Sequence, residues 1–294
     1  MTISGVTTEI ASAHHLAGLL RVGPGFRLAD VGPRSRPGFD GGKSEGEHAL
    51  EEGVDELSRL QEKLFAQARG ASSDRAVLLV LQGMDTSGKG GIMRHVVGAV
   101  DPQGVTHHAF KAPTEEERRH DFLWRIRRQL PAAGMVGVFD RSHYEDVLIV
   151  RVHDLVPPAE WQGRYEVIDD FEREVTAAGT TLVKVMLHIS PEEQKRRLME
   201  RLERPDKHWK YNPGDVDERG YWAQYQAAYQ EALTRCSPGR APWYVVPADR
   251  KWYARWAVQQ LLLRALREID PQWPSATYDV AAEKARLQES PDTF

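Results

Sequence analysis

Residues 83–91, GMDTSGKGG, contain the G-x-x-x-x-G-K frame of a phosphate-binding loop. In such a loop, glycines let successive backbone N–H groups face a phosphate, and the lysine, here Lys89, reaches its outer oxygens. The apolar run AVLLVLQ precedes this frame and a helical pattern follows it, as the motif requires. The remaining residues predicted to bind phosphate or nucleotide in this segment are Gly83, Met84, Thr86, Ser87, Gly88, Gly90 and Gly91.

Two residues of the loop depart from the usual pattern. Gly90 stands where a hydroxyl normally holds Mg²⁺, and Asp85 places a carboxylate where phosphates would repel it. A carboxylate beside a polyanion is tolerable when a cation lies between them, and Mg²⁺ prefers one or two carboxylates together with phosphate oxygens. We therefore expect Asp85 to take over part of the binding of Mg²⁺, or of Mn²⁺ in its place.

A second acid, Asp140, ends the apolar run VGVF and has the position of a Walker-B acid at the same sheet edge. We expect it to hold the metal together with Asp85, while Arg141 neutralises charge on a transferring phosphoryl group. Transfer between phosphates needs no general base, which favours a structural role for His143. Glu145 has two open interpretations: an acid favoured at a helix start, or a contact to nucleobase or ribose.

A basic segment at residues 195–210 carries seven Lys or Arg against three Asp or Glu. A solvated helix with Glu200 and Glu203 as internal partners is one interpretation. The other is a mobile lid that closes over phosphates and excludes water, because the segment follows the fourth predicted strand, where nucleotide kinases carry such a lid. Arg197, Arg201 and Arg204 fall on one helical face, and the residues expected to bind polyphosphate are Arg201, Arg204, Lys207 and Lys210.

Alternating strand and helix patterns must position these groups. Strands are predicted at 76–82, 104–110, 135–140, 180–190 and 241–248, and helices at 47–69, 89–100, 114–130, 158–178, 191–203 and 251–269. This alternation predicts an α/β fold of the three-layer α/β/α kind, with a five-stranded parallel sheet and a helical lid. Ligands of such sheets bind at the carboxyl ends of the strands, where the loop lies.

The predicted organisation has three parts: an arm with an amphipathic helix at 1–70, a core at 71–270 with the lid at about 195–220, and a tail at 271–294. Residues 1–50, rich in Gly, Ser and Pro, are expected to form a loosely structured arm that could wrap the core. The 47–69 helix and the tryptophans near the end of the core could pack inside the protomer or at an interface between protomers.

Composition narrows the functional classes. The chain has 294 residues, a net charge of −4 and one cysteine, Cys236, which excludes internal disulfides and cysteine-based metal clusters. The sequence shows neither an apolar run of membrane-spanning length nor a basic start before an apolar segment, so we expect a cytoplasmic protein without membrane partners. Nucleic acid is not an expected partner either, since Trp209 and Tyr211 are the only aromatic side chains near the basic segment that could stack on bases.

In order along the chain, GMDTSGKGG, PTEEERRHDFLWR, VFDRSHYEDVL, RLERPDKHWKYNPGD and APWYVVPADRKWYARW resemble the motifs of the polyphosphate kinase 2 family. The likeness runs from about Leu57 to Ile269. It implies a P-loop kinase core that moves phosphoryl groups reversibly between inorganic polyphosphate and nucleotides with Mg²⁺, in a homo-oligomer, dimeric or tetrameric. Carried over by motif, Asp85, Lys89, Asp140 and Arg141 match the family's essential residues.

The form SHYEDVL, with Glu145, is similar to the branch that accepts nucleoside monophosphates as well as diphosphates. Some members of that branch have Asn where this chain has Asp140. The resemblance implies that polyphosphate reacts with ADP or AMP, or with GDP or GMP, and that the products are nucleoside di- or triphosphates.

Two other functions remain open on the sequence. One is a nucleotide kinase that uses ATP as donor, which polyphosphate supplied in place of ATP would distinguish. The other is a non-catalytic regulator that binds polyphosphate or nucleotide, which tight binding without turnover would reveal.

Overall fold

A computed structural model describes residues 10–70 and 73–291. Its centre is a five-stranded, all-parallel sheet with the strand order β2-β3-β1-β4-β5. The strands are β1 (Ala76–Gln82), β2 (Val105–Ala109), β3 (Val136–Asp140), β4 (Thr180–His188) and β5 (Trp243–Pro247). All five lie within the ranges that the sequence predicts. β1 and β5 are buried along their whole length, as expected of strands covered on both faces.

The register of the central strands brings the site residues to one edge of the sheet. Leu81 of β1 pairs with Asp140 of β3, so the loop after Gln82 begins beside the end of β3. On the other side, Gln82 pairs with Met186 of β4. Because all strands are parallel, the segments that follow them meet at this edge.

Helices flank the sheet. In chain order they are α1 (Ala13–Leu20), α2 (Lys43–Glu52), α3 (Val54–Arg69), α4 (Lys89–His95), α5 (Trp124–Arg127), α6 (Ile149–Val152), α7 (Pro158–Ala177), α8 (Pro191–Glu203), α9 (Gly214–Glu218), α10 (Trp222–Arg235), α11 (Lys251–Ile269) and α12 (Val280–Glu289). α11 packs against β1, β4 and the helices α1 to α4, while α7 packs against both β4 and α6. None of the helices in the described ranges is both long and apolar enough to cross a bilayer.

The N-terminal arm is more ordered than its composition predicts. In the described part of it, Leu16, Leu20, Leu28 and Phe39 are buried in the main core. The Phe39 ring lies edge-on to two tryptophans of α11. Separate large apolar residues, rather than a long amphipathic pattern, anchor this segment on the core. The described part of the arm therefore packs on the core as expected, but the prediction of a loose structure is wrong from residue 10 onward.

Three predicted helices differ from the observed ones. The helix predicted at 89–100 ends at His95, and a 3-10 turn, Val97–Ala99, follows it. The 47–69 helix is divided at Gly53, where any side chain would collide with Gln259 of α11. Within 114–130, the predicted capping pair of Thr114 and Glu117 is present, but it starts only a short 3-10 turn. The backbone at His120 is extended, and the Asp121 carboxylate accepts from the Leu123 N–H before α5 starts.

The three tryptophans whose place the sequence left open lie in the core. Trp243, Trp252 and Trp256 are all buried within the protomer. Cys236 is buried as well. These side chains therefore stabilise the protomer.

Candidate active site

A cleft of about 580 Å³ opens at the carboxyl ends of β1 and β3, between the loop, α11 and the lid. Its lining is strongly positive. The cations that line it are Lys89, Arg94, Lys111, Arg141, Arg197, Arg201, Arg204, Lys207, Lys210, Lys251 and Arg255. The carboxylates that line it are Asp85, Asp140 and Glu200. Such an excess of cations, drawn from a chain with net charge −4, indicates a polyanionic ligand.

The backbone of the loop has positive φ angles at several positions, a conformation that favours glycine. Gly83 has φ of 146°, and a Cβ there would come within 2.6 Å of the Leu187 carbonyl oxygen. Gly88 has φ of 116° and precedes α4. Thr86 has φ of 64°, a costly value for a β-branched residue. Backbone strain of this kind persists only where surrounding contacts impose it, and it concentrates at functional sites.

Lys89 joins the two strand ends. It is buried, its Nζ donates to the Gly83 carbonyl oxygen at 3.1 Å, and the same Nζ lies 4.0 Å from Oδ1 of Asp140. These contacts hold the ammonium group at the floor of the cleft. The position suits a cation that meets the outer phosphates of a bound ligand.

Arg141 and Asp85 form the second ion pair of the site. The Arg141 Nη2 donates to Oδ1 of Asp85 at 3.1 Å, and Arg141, like Thr86, has φ of 64°. Burial alone would lower the pKa of Arg141, but the nearby carboxylates of Glu145, Asp85 and Asp140 raise it above its ordinary value. The guanidinium is therefore a permanent positive charge among carboxylates.

The two aspartates fit a magnesium site in their chemistry. The side chains of Asp85 and Asp140 are 29% and 27% exposed, and both line the cleft. Within the described residues there is no group of three or more His, Cys, Asp or Glu placed to hold a metal. The protein thus offers two carboxylates, and phosphate oxygens and waters would supply the remaining ligands that Mg²⁺ requires.

Glu145 lies behind the cleft. It is partly buried and does not line the cavity. Burial raises the pKa of Glu145, against the opposing influence of Arg141 and Lys89. Gly83 and Met84 are likewise buried and are outside the lining, whereas the loop from Asp85 to Gly91 lines it without a break.

The lid residues predicted to bind polyphosphate all reach the cleft. Arg201 donates to the Lys210 carbonyl oxygen and to Oδ2 of Asp215, which ties α8 to the part of the lid that follows it in the chain. Arg204 pairs with Asp206 at 3.0 Å. The solvated-helix interpretation holds in part too, because Glu200 lies 3.7 Å from Arg204.

Arg197, which the sequence groups with these lid arginines, has a different set of partners. It is 5% exposed and donates to the carbonyl oxygens of Thr86 and Ser87 at 2.8 and 3.0 Å. It also donates to those of Ala248 and Asp249, after β5. Arg197 therefore fixes the loop to the neighbouring strand end, and most of its hydrogen-bonding capacity is used within the protein.

His143 has the structural surroundings that the sequence favours. It is buried, and its Nε2 lies 3.3 Å from Oε1 of Glu172. Glu172 also accepts from Tyr144 and from Lys184, whose ammonium group donates in addition to the Cys236 carbonyl oxygen. We call Glu172, Lys184, His143 and Tyr144 the buried cluster. It packs under the turn that carries Glu145.

Sequence reasoning missed part of the cleft. Arg94 on α4, Lys251 and Arg255 on α11, and Lys111 after β2 also line it, and Lys251 lies 3.5 Å from Glu200 of the lid helix. The available signal was the spacing of Lys251 and Arg255, four residues apart in the first turns of a helix that follows a strand end. No such pattern marks Gln194 or Tyr229, whose side chains bond to the backbone of Asp85 and Gly83.

Three comparisons place the chain among known proteins. A protein-family model described as polyphosphate kinase 2 matches residues 43–274. The AMP/ADP-polyphosphate phosphotransferase of Meiothermus ruber is 44% identical over 90% of this chain and 96% of its own length. The ADP-polyphosphate phosphotransferase of Rhodopseudomonas palustris is 41% identical over 87% of this chain and 92% of its own length.

Among solved structures, the chain resembles the crystal structure of polyphosphate kinase 2 from Arthrobacter aurescens TC1. The TM-score is 0.92 and the identity 56%, and the match covers 98% of this chain and all of that one. The match extends over the sheet, the loop and the lid. On the family model and these relatives together, the chain belongs to the polyphosphate kinase 2 family.

Proposed function

We propose that the protein transfers phosphoryl groups reversibly between inorganic polyphosphate and nucleotides, with ADP and AMP as acceptors. The observation that carries this proposal is the charge of the cleft, where eleven cations face three carboxylates. A single nucleotide carries too few charges to balance that excess, whereas a polyphosphate chain carries about one negative charge per phosphate. The names of the relatives from M. ruber and R. palustris point to the same substrates.

The reaction asks little covalent chemistry of the protein. The terminal phosphate of the nucleotide attacks the end phosphorus of the polyphosphate, the P–O bond to the next phosphate breaks, and the shortened chain leaves as an anion. Both partners are already anionic, so no base is required. Catalysis is then mainly a matter of alignment and charge stabilisation.

Each residue of the site has a task in that scheme. Lys89, held between Gly83 and Asp140, stabilises charge on the transferring group from the floor of the cleft. Arg141 exchanges its bond with Asp85 for phosphate oxygens when the ligand arrives. Mg²⁺, when bound to Asp85 and Asp140, would neutralise phosphate charge and allow the two polyanions to approach. Arg201 and Arg204 hold the chain from the lid.

The acceptor range is the finer part of the proposal. The M. ruber relative is named for both AMP and ADP, and the R. palustris relative for ADP. We propose that this chain uses both, and that guanine nucleotides also serve. Glu145 is close enough to Arg141 to raise its pKa, and it would act on the acceptor through that residue.

A direct assay tests this function. Purified protein is incubated with long-chain polyphosphate, Mg²⁺ and one of ADP, AMP, GDP or GMP, and products are separated by ion-exchange chromatography. We expect ATP from ADP, ADP followed by ATP from AMP, and no product with excess EDTA. Lys89→Met protein, prepared in the same way, excludes a contaminating kinase.

Other outcomes would identify the alternatives. Phosphoryl transfer from ATP to AMP, without transfer from polyphosphate, would indicate an ordinary nucleotide kinase. Tight polyphosphate binding in calorimetry with no turnover at any Mg²⁺ concentration would indicate a regulator. Either result contradicts the proposed function.

A further inference from the structure

The base of the lid bonds to the carbonyl side of the phosphate loop. Two buried residues one turn apart on α8 make these contacts, Gln194 and Arg197. The Gln194 Nε2 donates to the carbonyl oxygen of Asp85 at 3.2 Å. Arg197 donates to the carbonyl oxygens of the next two residues, Thr86 and Ser87. Three successive carbonyls of the loop are thus held by side chains of one helix.

These contacts determine where the loop presents its N–H groups. In a trans peptide the C=O and the following N–H point in opposite directions. Carbonyls drawn toward α8 therefore turn the N–H groups of Thr86, Ser87 and Gly88 away from it. That of Ser87 closes a turn by donating to the Met84 carbonyl oxygen. Those of Thr86 and Gly88 have no acceptor within the described ranges, and both residues line the cleft.

A third residue connects the loop to the far end of the lid. The Nη1 of Arg219, which follows α9, donates to Oε1 of Gln194 at 2.8 Å and to the Pro191 carbonyl oxygen at 3.1 Å. Because Arg219 can only donate, its contact fixes the orientation of the Gln194 amide, whose NH₂ group then faces Asp85. Arg219, Gln194 and the Asp85 carbonyl form a continuous chain of hydrogen bonds, which we call the relay.

We propose that Gln194 and Arg219 are positioning residues for this reaction. The relay holds the peptide that follows Asp85, and so the Asp85 carboxylate and the Thr86 N–H, in the orientation that meets phosphate. It also makes that orientation depend on the end of the lid, where Arg219 follows α9. This inference rests on the proposed function for its kinetic part, but its structural part does not.

The relay is tested first by hydrogen–deuterium exchange, read by mass spectrometry on peptides spanning residues 83–91 without substrate. Gln194→Leu removes both bonds, and Gln194→Glu keeps an acceptor for Arg219 but faces the Asp85 carbonyl with a carboxylate. We expect both variants to exchange the hydrogen-bonded amides of this segment, those of Ser87 and Gly91, at least about fivefold faster than the unsubstituted protein, because the peptide is released. Lys195→Gln, an exposed neighbour outside the cleft, is the matched control and should show no change.

Kinetics then separate positioning from a general loss of structure. For Gln194→Leu we expect kcat to fall about tenfold to a hundredfold, the range that misplacement of a reacting group produces, with the melting temperature and the KM for ADP little changed. Arg219→Gln should have a smaller effect of the same kind. Since the two residues act in series, the double variant should be no worse than Gln194→Leu alone.

Two results would overturn the proposal. One is unchanged exchange in residues 83–91 for both Gln194 variants. The other is a double variant whose fold-increase in exchange equals the product of the fold-increases of Gln194→Leu and Arg219→Gln, as expected of two independent residues. Because exchange is measured without the reaction, an inactive parent protein would count against the proposed function and leave the relay to be judged on its own.

Discussion

Two groups of charged residues in this protein are built from similar side chains and have opposite surroundings. The buried cluster pairs Glu172 with Lys184 at 2.5 Å, both fully buried, and hydrogen bonds satisfy each of them. In the cleft, by contrast, Asp85, Asp140 and Arg141 are between a quarter and two-fifths exposed, and cations outnumber acids. The first group is closed to solvent and balanced. The second is open and has excess positive charge.

The difference indicates what each group is for. A charge removed from water is tolerated only when partners replace its hydration, so a balanced buried group contributes to the fold. An unbalanced group gains by binding a ligand of opposite charge. On this view, substitutions in the buried cluster act on stability, and those in the cleft act on activity.

The largest expected effect comes from breaking the buried pair. Lys184→Met leaves Glu172 without its counter-ion in a site closed to water, and we expect a loss of about 3–5 kcal/mol in the free energy of unfolding. Urea denaturation followed by circular dichroism measures it. The exposed pair of Arg173 and Asp170 is the control, since Arg173→Gln breaks an ion pair that water already screens and should change the free energy of unfolding far less. Equal losses at the two sites would mean that a buried ion pair is no more costly to break than an exposed one, which contradicts the prediction.

The matched substitution in the cleft is Lys89→Met. It removes the ammonium group that contacts Gly83 and lies beside Asp140, and we expect the rate to fall about 10²-fold or more. Stability should change less than in Lys184→Met, because Asp140, the carboxylate left without this partner, is 27% exposed to water. Initial rates of ATP formation from ADP and polyphosphate, with Lys195→Met as control, provide the measurement. Activity lost only in proportion to unfolded protein would contradict the prediction.

A smaller effect is expected where α4 and α11 line the cleft. Both Arg94 and Arg255 line the cleft, and neither guanidinium makes a hydrogen bond or ion pair with another residue in the described part of the chain. Arg94→Gln and Arg255→Gln should each raise the KM for long-chain polyphosphate about tenfold, because a distal phosphate loses its counter-charge. Tripolyphosphate, which has only three phosphates, should be less affected. Arg267→Gln, on the same helix but paired with Glu56 outside the cleft, is the control.

Equal increases in KM for long and short chains would show that these arginines meet the reacting end of the substrate. The effect should also weaken as salt is added, since contacts between exposed charges are screened. A KM increase that persists in concentrated salt would point to altered packing of α11.

Local patterns were enough to predict the strands and most of the loop. The run at 76–82 and the G-x-x-x-x-G-K frame each depend on residues close together in sequence, and the sheet edge follows from parallel order. Asp85, Lys89, Asp140 and Arg141 were found in this way, and the structure brings them to one cleft. Their chemical roles remain predictions.

The missed features depend on contacts between distant parts of the chain. The break at Gly53 comes from Gln259, more than 200 residues away, and no local pattern announces it. Arg197 belongs to the lid helix by period, but its partners are carbonyls of the loop and of the segment after β5. Periodicity indicates which face of a helix a residue occupies, and it does not show what that face contacts.

The smallest predicted effect is a pH dependence of the buried cluster. Burial lowers the pKa of His143 below its ordinary 6.5, and this outweighs the opposing influence of Glu172. The unfolded chain therefore binds a proton that the folded protein does not, and stability is lost as the pH falls below about 6.5. The contribution is at most about 1.4 kcal/mol per pH unit, because a single proton is involved.

His143→Gln isolates this term, since glutamine can donate to Glu172 but does not titrate near neutral pH. We expect the loss of unfolding free energy between pH 7 and pH 5.5 to be smaller in the variant by up to about 1.3 kcal/mol, because the term begins only below about pH 6.5. The other histidines with lowered pKa values, His95, His108 and His188, are present in both proteins and cancel in the comparison. Identical pH profiles would mean that His143 is already protonated against Glu172 in the folded state. The buried cluster would then carry an extra positive charge, and its balance, on which the contrast with the cleft depends, would not hold.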